Sequence, residues 1–216
     1  GQPAYSPWVE DDKPESGKGF EAAVAYAVAN KLGFANADVT WVRTTFDSAI
    51  APGAKTFDFN LQQYTITDER KQAVDFSSPY YTTPQAIVTI KGSKLDGVTT
   101  IAELKDAKLG AGVGTTAIDI ITNQIGATPQ VFNDNAAAVA ALKNGQIDGV
   151  VVDLPTAFYL TAVEVENGII AGQLPLSGSG DNFGLLLAKD SPLTSCVSQA
   201  VDALKAEGTL AQIADN

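Results

Sequence analysis

The chain has 216 residues, 45% of them hydrophobic and 18% charged, the make-up of a globular protein with room for one large domain or two smaller lobes. Its 14 Lys and Arg stand against 25 Asp and Glu, and the net charge of -11 repels phosphate backbones, which excludes nucleic acid as an expected partner. Histidine is absent and cysteine occurs once, so Ser-His and Cys-His pairs, zinc clusters and an internal disulfide are all excluded.

In chain order, Phe20, Val24, Val28 and Leu32 recur every fourth position between Gly19 and Gly33, the apolar face of a helix closed by Gly33. "VTWVRTTF" (Val39 to Phe46) reads as a strand, and "FDFNLQQYTIT" as a second one running into a loop. In "TITDERKQAVDFSSPYY", Thr67 is a good N-cap, with Asp68 and Glu69 as the acidic first-turn residues of a short helix. "QAIVTI" (Gln85 to Ile90) is a further strand, and Thr100 to Glu103 form a capping box.

A strand–helix rhythm follows. "KLGAGVG" is a strand ending in glycines, "TTAIDIITNQIG" a helix, "PQVF" a strand, "NAAAVAALKNG" a helix with Gly145 past its end, and "IDGVVVD" a buried strand. "PTAFYLTAVEVENG" is a helix opened by Pro155, "FGLLLAKD" (Phe183 to Asp190) the last strand, and Ser191-Pro192 opens a helix to about Glu207. Cys196 on that helix reads as a small buried residue. Alternating strands and helices with short connections predict an α/β architecture with largely parallel sheets. No apolar stretch approaches the ~20 residues of a membrane span. The start at Gly1, with no Met anywhere, reads as a processed or trimmed terminus.

Three groups could carry chemistry. Arg70 stands in a helical first turn, where a cation adds no dipole stability, so it is aimed either at a surface ion pair or at a ligand anion. Gly112-Val113-Gly114-Thr115-Thr116-Ala117 matches G-x-G-x-x-A between a strand and a helix, with Asp134 about 20 residues on. It reads as a dinucleotide fingerprint, as glycines for a tight turn, or as an anion site of free N–H groups helped by the Thr115 and Thr116 hydroxyls. Asp153 ends the "VVV" strand and is either the cap of the Pro155 helix or a contact for a cation, whereas Asp148 serves a turn. An anion receptor facing a cation receptor suits a zwitterion.

"GQPAYSPW", "GKGFEAAVAYAVANKLGF", "TITDERKQAVDFSSPYY", "GVGTT", "LKNGQIDGVVVD" and "FGLLLAKDSPL" resemble, in order and over nearly the whole chain, the extracellular amino-acid-binding proteins of ABC importers, solute-binding protein family 3. The resemblance implies a type II periplasmic-binding fold: two α/β lobes, each a mostly parallel sheet flanked by helices, joined by two hinge crossings and closing on a free amino acid. Lobe 1 would comprise residues 1–86 and 183–216, lobe 2 residues 87–182, with crossings near Gln85–Val88 and Leu176–Phe183. By position, Arg70 and the Thr116 N–H would bind the α-carboxylate, while Asp153, the Thr65 hydroxyl and the Gln63 carbonyl would take the α-ammonium. Tyr5 and Phe46 would flank the ligand side chain, Gln2 and Gln62 would line its pocket, and Trp8 and Tyr64 would be packing residues.

Many relatives carry Asp at the place of Gln2, so a neutral Gln argues for an uncharged polar or small ligand; Arg43, if it turned inward, would instead suit Glu or Asp. Relatives also begin with a strand of the type l-x-V-G-T, and this chain starts after it, which would leave neighbouring strands unpaired. Trimming is the expectation, and the same gap would hide a signal peptide or a lipid-anchor cysteine. The resemblance implies no enzyme, no cofactor and no metal. The implied function is delivery of an amino acid to an ABC permease outside the cytoplasmic membrane. The alternatives are a dehydratase-like enzyme on the same fold, for which Glu21 and Asp47 at helix starts offer no convincing acid, and the ligand-binding domain of a receptor.

Overall fold

A computed structural model describes residues 1, 3–175 and 180–215. The chain divides into two compact units, Gly1–Thr82 with Asn182–Asn216, and Thr83–Asp181.

In the first unit, α1 (Phe20–Lys31) buries Glu21, Ala22, Val24, Ala25, Val28 and Ala29; of the face that the sequence period marks out, Val24 and Val28 are buried and Phe20 and Leu32 pack partly buried against the same core. Gly19 and Gly33 flank it, both at φ +95°. Strands β1 (Val74–Thr83) and β7 (Asp181–Ala188) form a two-stranded sheet, and α6 (Thr194–Ala206) and α7 (Thr209–Ala214) complete the unit. Its core joins Trp8, Val24, Val28, Tyr80, Phe183 and Val201. Trp8 is 2% exposed and meets Phe20, Tyr81 and Phe183 edge-on at 5.6–5.9 Å between centroids.

Two expected strands are absent as ladders. Residues 39–45 pair with no strand among the described residues, and α2 (Phe46–Ile50) begins where the expected strand would end. A strand needs a neighbour for its alternate N–H and C=O groups, and Val42 here stands 49% exposed. "FDFNLQQYTIT" lies against β7 through Asn60↔Leu186 and Thr65↔Phe183 only. Between those bridges Gln63 takes φ +53°, which bends the backbone out of a ladder. The 67–72 segment is a 3-10 turn, Arg70–Gln72, and not a longer helix; Thr67 still caps it, its hydroxyl accepting the Arg70 N–H at 3.1 Å. Cys196 is partly exposed on α6, whose buried positions are Val197, Ala200, Val201 and Leu204.

The second unit is a five-stranded sheet in the order β4-β3-β5-β2-β6, with β2 Gln85–Ile90, β3 Leu109–Gly112, β4 Gln130–Phe132, β5 Gly149–Asp153 and β6 Gly168–Gln173. The β3–β4 and β3–β5 pairs are parallel, whereas β2 runs antiparallel to both β5 and β6. Alternation divides the core: Ala86, Val88, Val150 and Val152 face one layer, Ile87, Leu109, Ala111 and Val151 the other. Helices α3 (Ala117–Asp119), extended by a π-helix Ile120–Ile125, α4 (Asn135–Lys143) and α5 (Leu154–Tyr159) follow β3, β4 and β5. Because β2 is reversed, its first residue shares a sheet edge with the carboxyl ends of β3 and β5.

Candidate functional site

The 62–70 segment of the first unit carries four of the candidates expected there, Gln62, Gln63, Thr65 and Arg70. Arg70 is half-buried; its Nη1 donates to the Thr65 carbonyl at 2.7 Å, and its guanidinium carbon sits 5.4 Å from the centre of the Phe46 ring. Phe46 in turn stacks on the fully buried Tyr64, at 4.6 Å and 29°. Thr65 is 8% exposed. Trp8 and Tyr64 are packing residues, as expected.

The left-handed Gln63 backbone is hydrogen-bonded to a buried carboxylate that the sequence marks only as a helix start. Glu21, at the start of α1, is 3% exposed and accepts the Gln63 backbone N–H at 2.8 Å, the Gln63 Nε2 and the Tyr80 hydroxyl. Burial pushes its carboxyl above the usual range, and these donors oppose that shift. Gln62 is also buried, its Nε2 donating to Thr44 Oγ1 (2.7 Å) and Asn60 Oδ1 (3.0 Å). Tyr5 lies partly exposed in the loop before Trp8, where its carbonyl accepts the Val9 N–H. Arg43 does not turn inward: it is exposed and pairs with the Asp12 carboxylate and, at 2.5 Å, the Asp12 carbonyl. Gln2 lies outside the described residues, as does part of the expected second crossing, residues 176–179.

In the second unit the glycine turn, Asp153 and β2 meet at one sheet edge. Gly114 takes φ +74°, the turn that swings the chain from β3 into α3. The Thr115 hydroxyl donates to the Gly112 carbonyl at 2.8 Å, closing that turn, while the Thr116 hydroxyl accepts Gln85 Nε2 at 2.8 Å. Asp153 caps α5: Oδ1 accepts the Thr156 N–H and Oδ2 the Thr156 hydroxyl, both at 2.9 Å. Desolvation raises its pKa to about 6, against the opposing pull of the two Thr156 bonds; Asp181 nearby adds a smaller upward push. Capping does not exhaust the carboxylate, since each oxygen keeps a further lone pair.

Gln85 and Asp181 are not among the residues that the motifs mark. Gln85 Nε2 also donates to Asp181 Oδ2 at 2.8 Å. Their one sequence signal is polarity out of place, Gln85 being the lone polar residue opening the apolar "AIV" run. The dinucleotide reading finds no support in Asp134, whose carboxylate accepts the Ala137 N–H at 2.8 Å as the cap of α4. Asp148 holds its turn, accepting the Lys108 N–H and pairing with Lys94. Among the described residues, no helix is long and apolar enough to cross a membrane and no group of three or more His, Cys, Asp or Glu could hold a metal ion.

The model of the bacterial extracellular solute-binding proteins, family 3, matches residues 1–216. The chain is 31% identical over 221 residues to the L-arginine-binding protein of Pseudomonas aeruginosa, covering 98% of this chain and 83% of that protein. It is 30% identical over 192 residues to the probable histidine-binding protein of Campylobacter jejuni, covering 88% and 72%. Among solved structures, an ancestral arginine-binding protein bound to glutamine superimposes with a TM-score of 0.77 at 31% identity, over 92% of this chain and 86% of that one. The chain therefore belongs to the bacterial extracellular solute-binding proteins, family 3, with the type II periplasmic-binding fold, and is a binding protein, not an enzyme.

Proposed function

We propose that this family member binds a free α-amino acid outside the cytoplasmic membrane and delivers it to an ABC permease. The observation that carries the reading is Asp153, a desolvated carboxylate at the carboxyl end of β5 with no Lys or Arg paired to it among the described residues. An acid held in that state suits a ligand cation. In this reading Asp153 takes the α-ammonium, together with the Thr65 hydroxyl and the Gln63 carbonyl. Arg70 and the Thr116 N–H take the α-carboxylate, with Thr115 shaping the turn. Tyr5, Phe46 and Gln62 surround the side chain, and Gln2, the remaining expected pocket residue, lies outside the described residues. The residue ranges 1–86 with 183–216, and 87–182, serve as the two lobes of a hinged carrier.

The finer reading is a ligand whose side chain bears no net charge. It is supported by the neutral set Thr44, Asn60 and Gln62 and by the commitment of Arg43 to Asp12. The two relatives named for arginine and histidine argue the other way, which makes side-chain charge the quantity to measure.

A thermal-shift screen of the twenty L-amino acids on protein refolded to remove carried ligand tests both levels. The reading expects a rise for at least one amino acid, growing with concentration. It also expects Arg70→Ala to weaken binding by at least about 1.5–3 kcal/mol, the worth of a charged hydrogen bond. A response to arginine, lysine or histidine alone would overturn the neutral-ligand reading, and no response from cooperatively melting protein would overturn amino-acid binding altogether.

A further inference from the structure

Gln85 is 7% exposed, and its amide is fixed from two sides. Nε2 donates to Thr116 Oγ1 and to Asp181 Oδ2, both at 2.8 Å. Asp181 Oδ2 is the acceptor in this pair, so the amide nitrogen faces it and the amide oxygen faces away. That oxygen, Oε1, is buried and accepts no hydrogen bond from any described residue. A buried amide acceptor left unmet is destabilising by about 1–3 kcal/mol, and such groups are few in folded proteins.

Its place in the sheet shows what could meet it. In the antiparallel β2–β5 ladder Gln85 is the register partner of Asp153. Residues directly opposite in such a ladder project to the same face, with Cβ atoms about 4.5–5.5 Å apart. An amide oxygen without a donor thus stands beside a desolvated carboxylate without a cation. Both are acceptors, and neither can satisfy the other while Asp153 is ionised.

We propose that Gln85 is a ligand-binding residue whose Oε1 accepts an N–H of the ligand ammonium alongside Asp153, with Asp181 and Thr116 clamping the amide in the accepting orientation. The proposal rests on the reading of Asp153 as the ammonium acceptor and extends it to residues that no motif marks. An ammonium offers three N–H donors in a tripod, so a second acceptor beside Asp153 distinguishes it from a single-donor group.

The test is calorimetric titration of L-glutamine and L-arginine into wild type, Gln85→Met, Asp181→Ala and Asp153→Asn, each refolded free of ligand. Gln85→Met keeps the length of the side chain and removes the acceptor. Its Kd is expected to rise about 10-fold or more, the equivalent of one hydrogen bond to a charged group. Asp181→Ala leaves Oε1 in place but frees the amide to turn, and a smaller rise of about 2–10-fold is expected. Should Gln85→Met not fold, Asp181→Ala decides. An unchanged Kd in Gln85→Met, or in Asp181→Ala where that variant decides, overturns the proposal. If Asp153→Asn loses binding while Gln85→Met does not, this inference fails alone; if Asp153→Asn also binds normally, or none of the twenty L-amino acids of the thermal-shift screen binds wild type, the underlying reading of the site fails with it.

Discussion

Replacing Asp153 with Asn is expected to stabilise the ligand-free protein at neutral pH. In the folded state burial raises the Asp153 pKa from 3.8 to about 6, so the folded chain holds this proton more tightly than the unfolded chain does. The stability linked to this proton is therefore fully present below about pH 4 and is lost as pH rises through about 6. The difference of about 2 pKa units at about 1.36 kcal/mol each gives an upper bound of about 3 kcal/mol lost by pH 7. Partial exposure of the residue lowers that figure. Asn is itself a good N-cap, so the bond from the Thr156 N–H can persist and α5 keeps its start. Circular-dichroism melts of both proteins at pH 4, 5, 6 and 7 check this. The Tm gain of the Asp153→Asn variant should be near its minimum at pH 4 and grow by up to roughly 6–12 °C at pH 7, at about 2–4 °C per kcal/mol for a chain of this size. An offset independent of pH, or a lower Tm at pH 7, would refute the claim that a desolvated carboxylate sits there. The same proton must leave when a ligand cation arrives, so amino-acid affinity should weaken below about pH 6.

Glu21→Ala should destabilise by about 3 kcal/mol or more, because it removes the buried acceptor of the Gln63 N–H, the Gln63 amide and the Tyr80 hydroxyl; denaturant titration checks it, and Glu21→Gln should be milder. Trp8→Ala should lower stability by about 3–5 kcal/mol through the void left among Phe20, Tyr81 and Phe183, read by the same titration. Asp134→Ala should remove about 1 kcal/mol with the cap of α4 and leave the affinity for any amino acid unchanged, an outcome that separates a cap from the ribose contact of a dinucleotide site.

How far the site can be read in advance depends on where each residue's partners lie along the chain. Asp134, Thr67 and the Thr100–Glu103 capping box act on backbone groups three residues away, so their roles are readable from spacing alone. α1 and β5 are equally legible, because one apolar face or a run of three valines sets their burial locally. Legibility ends where the decisive partner is distant. Residues 39–45 have the composition of a strand and lack a ladder neighbour, and β1 escapes a local reading because its strand state is conferred by β7, about 100 residues on. Glu21 meets Gln63 across 42 positions and Tyr80 across 59; Gln85 meets Asp181 across 96. In both cases a polar side chain sits in an apolar stretch, which is a signal that something must meet it but says nothing of what. Motifs therefore locate the groups that would touch a ligand, Arg70 and Asp153. The contacts of Glu21 with Gln63 and Tyr80, and of Asp181 with Gln85, emerge only when the chain is folded.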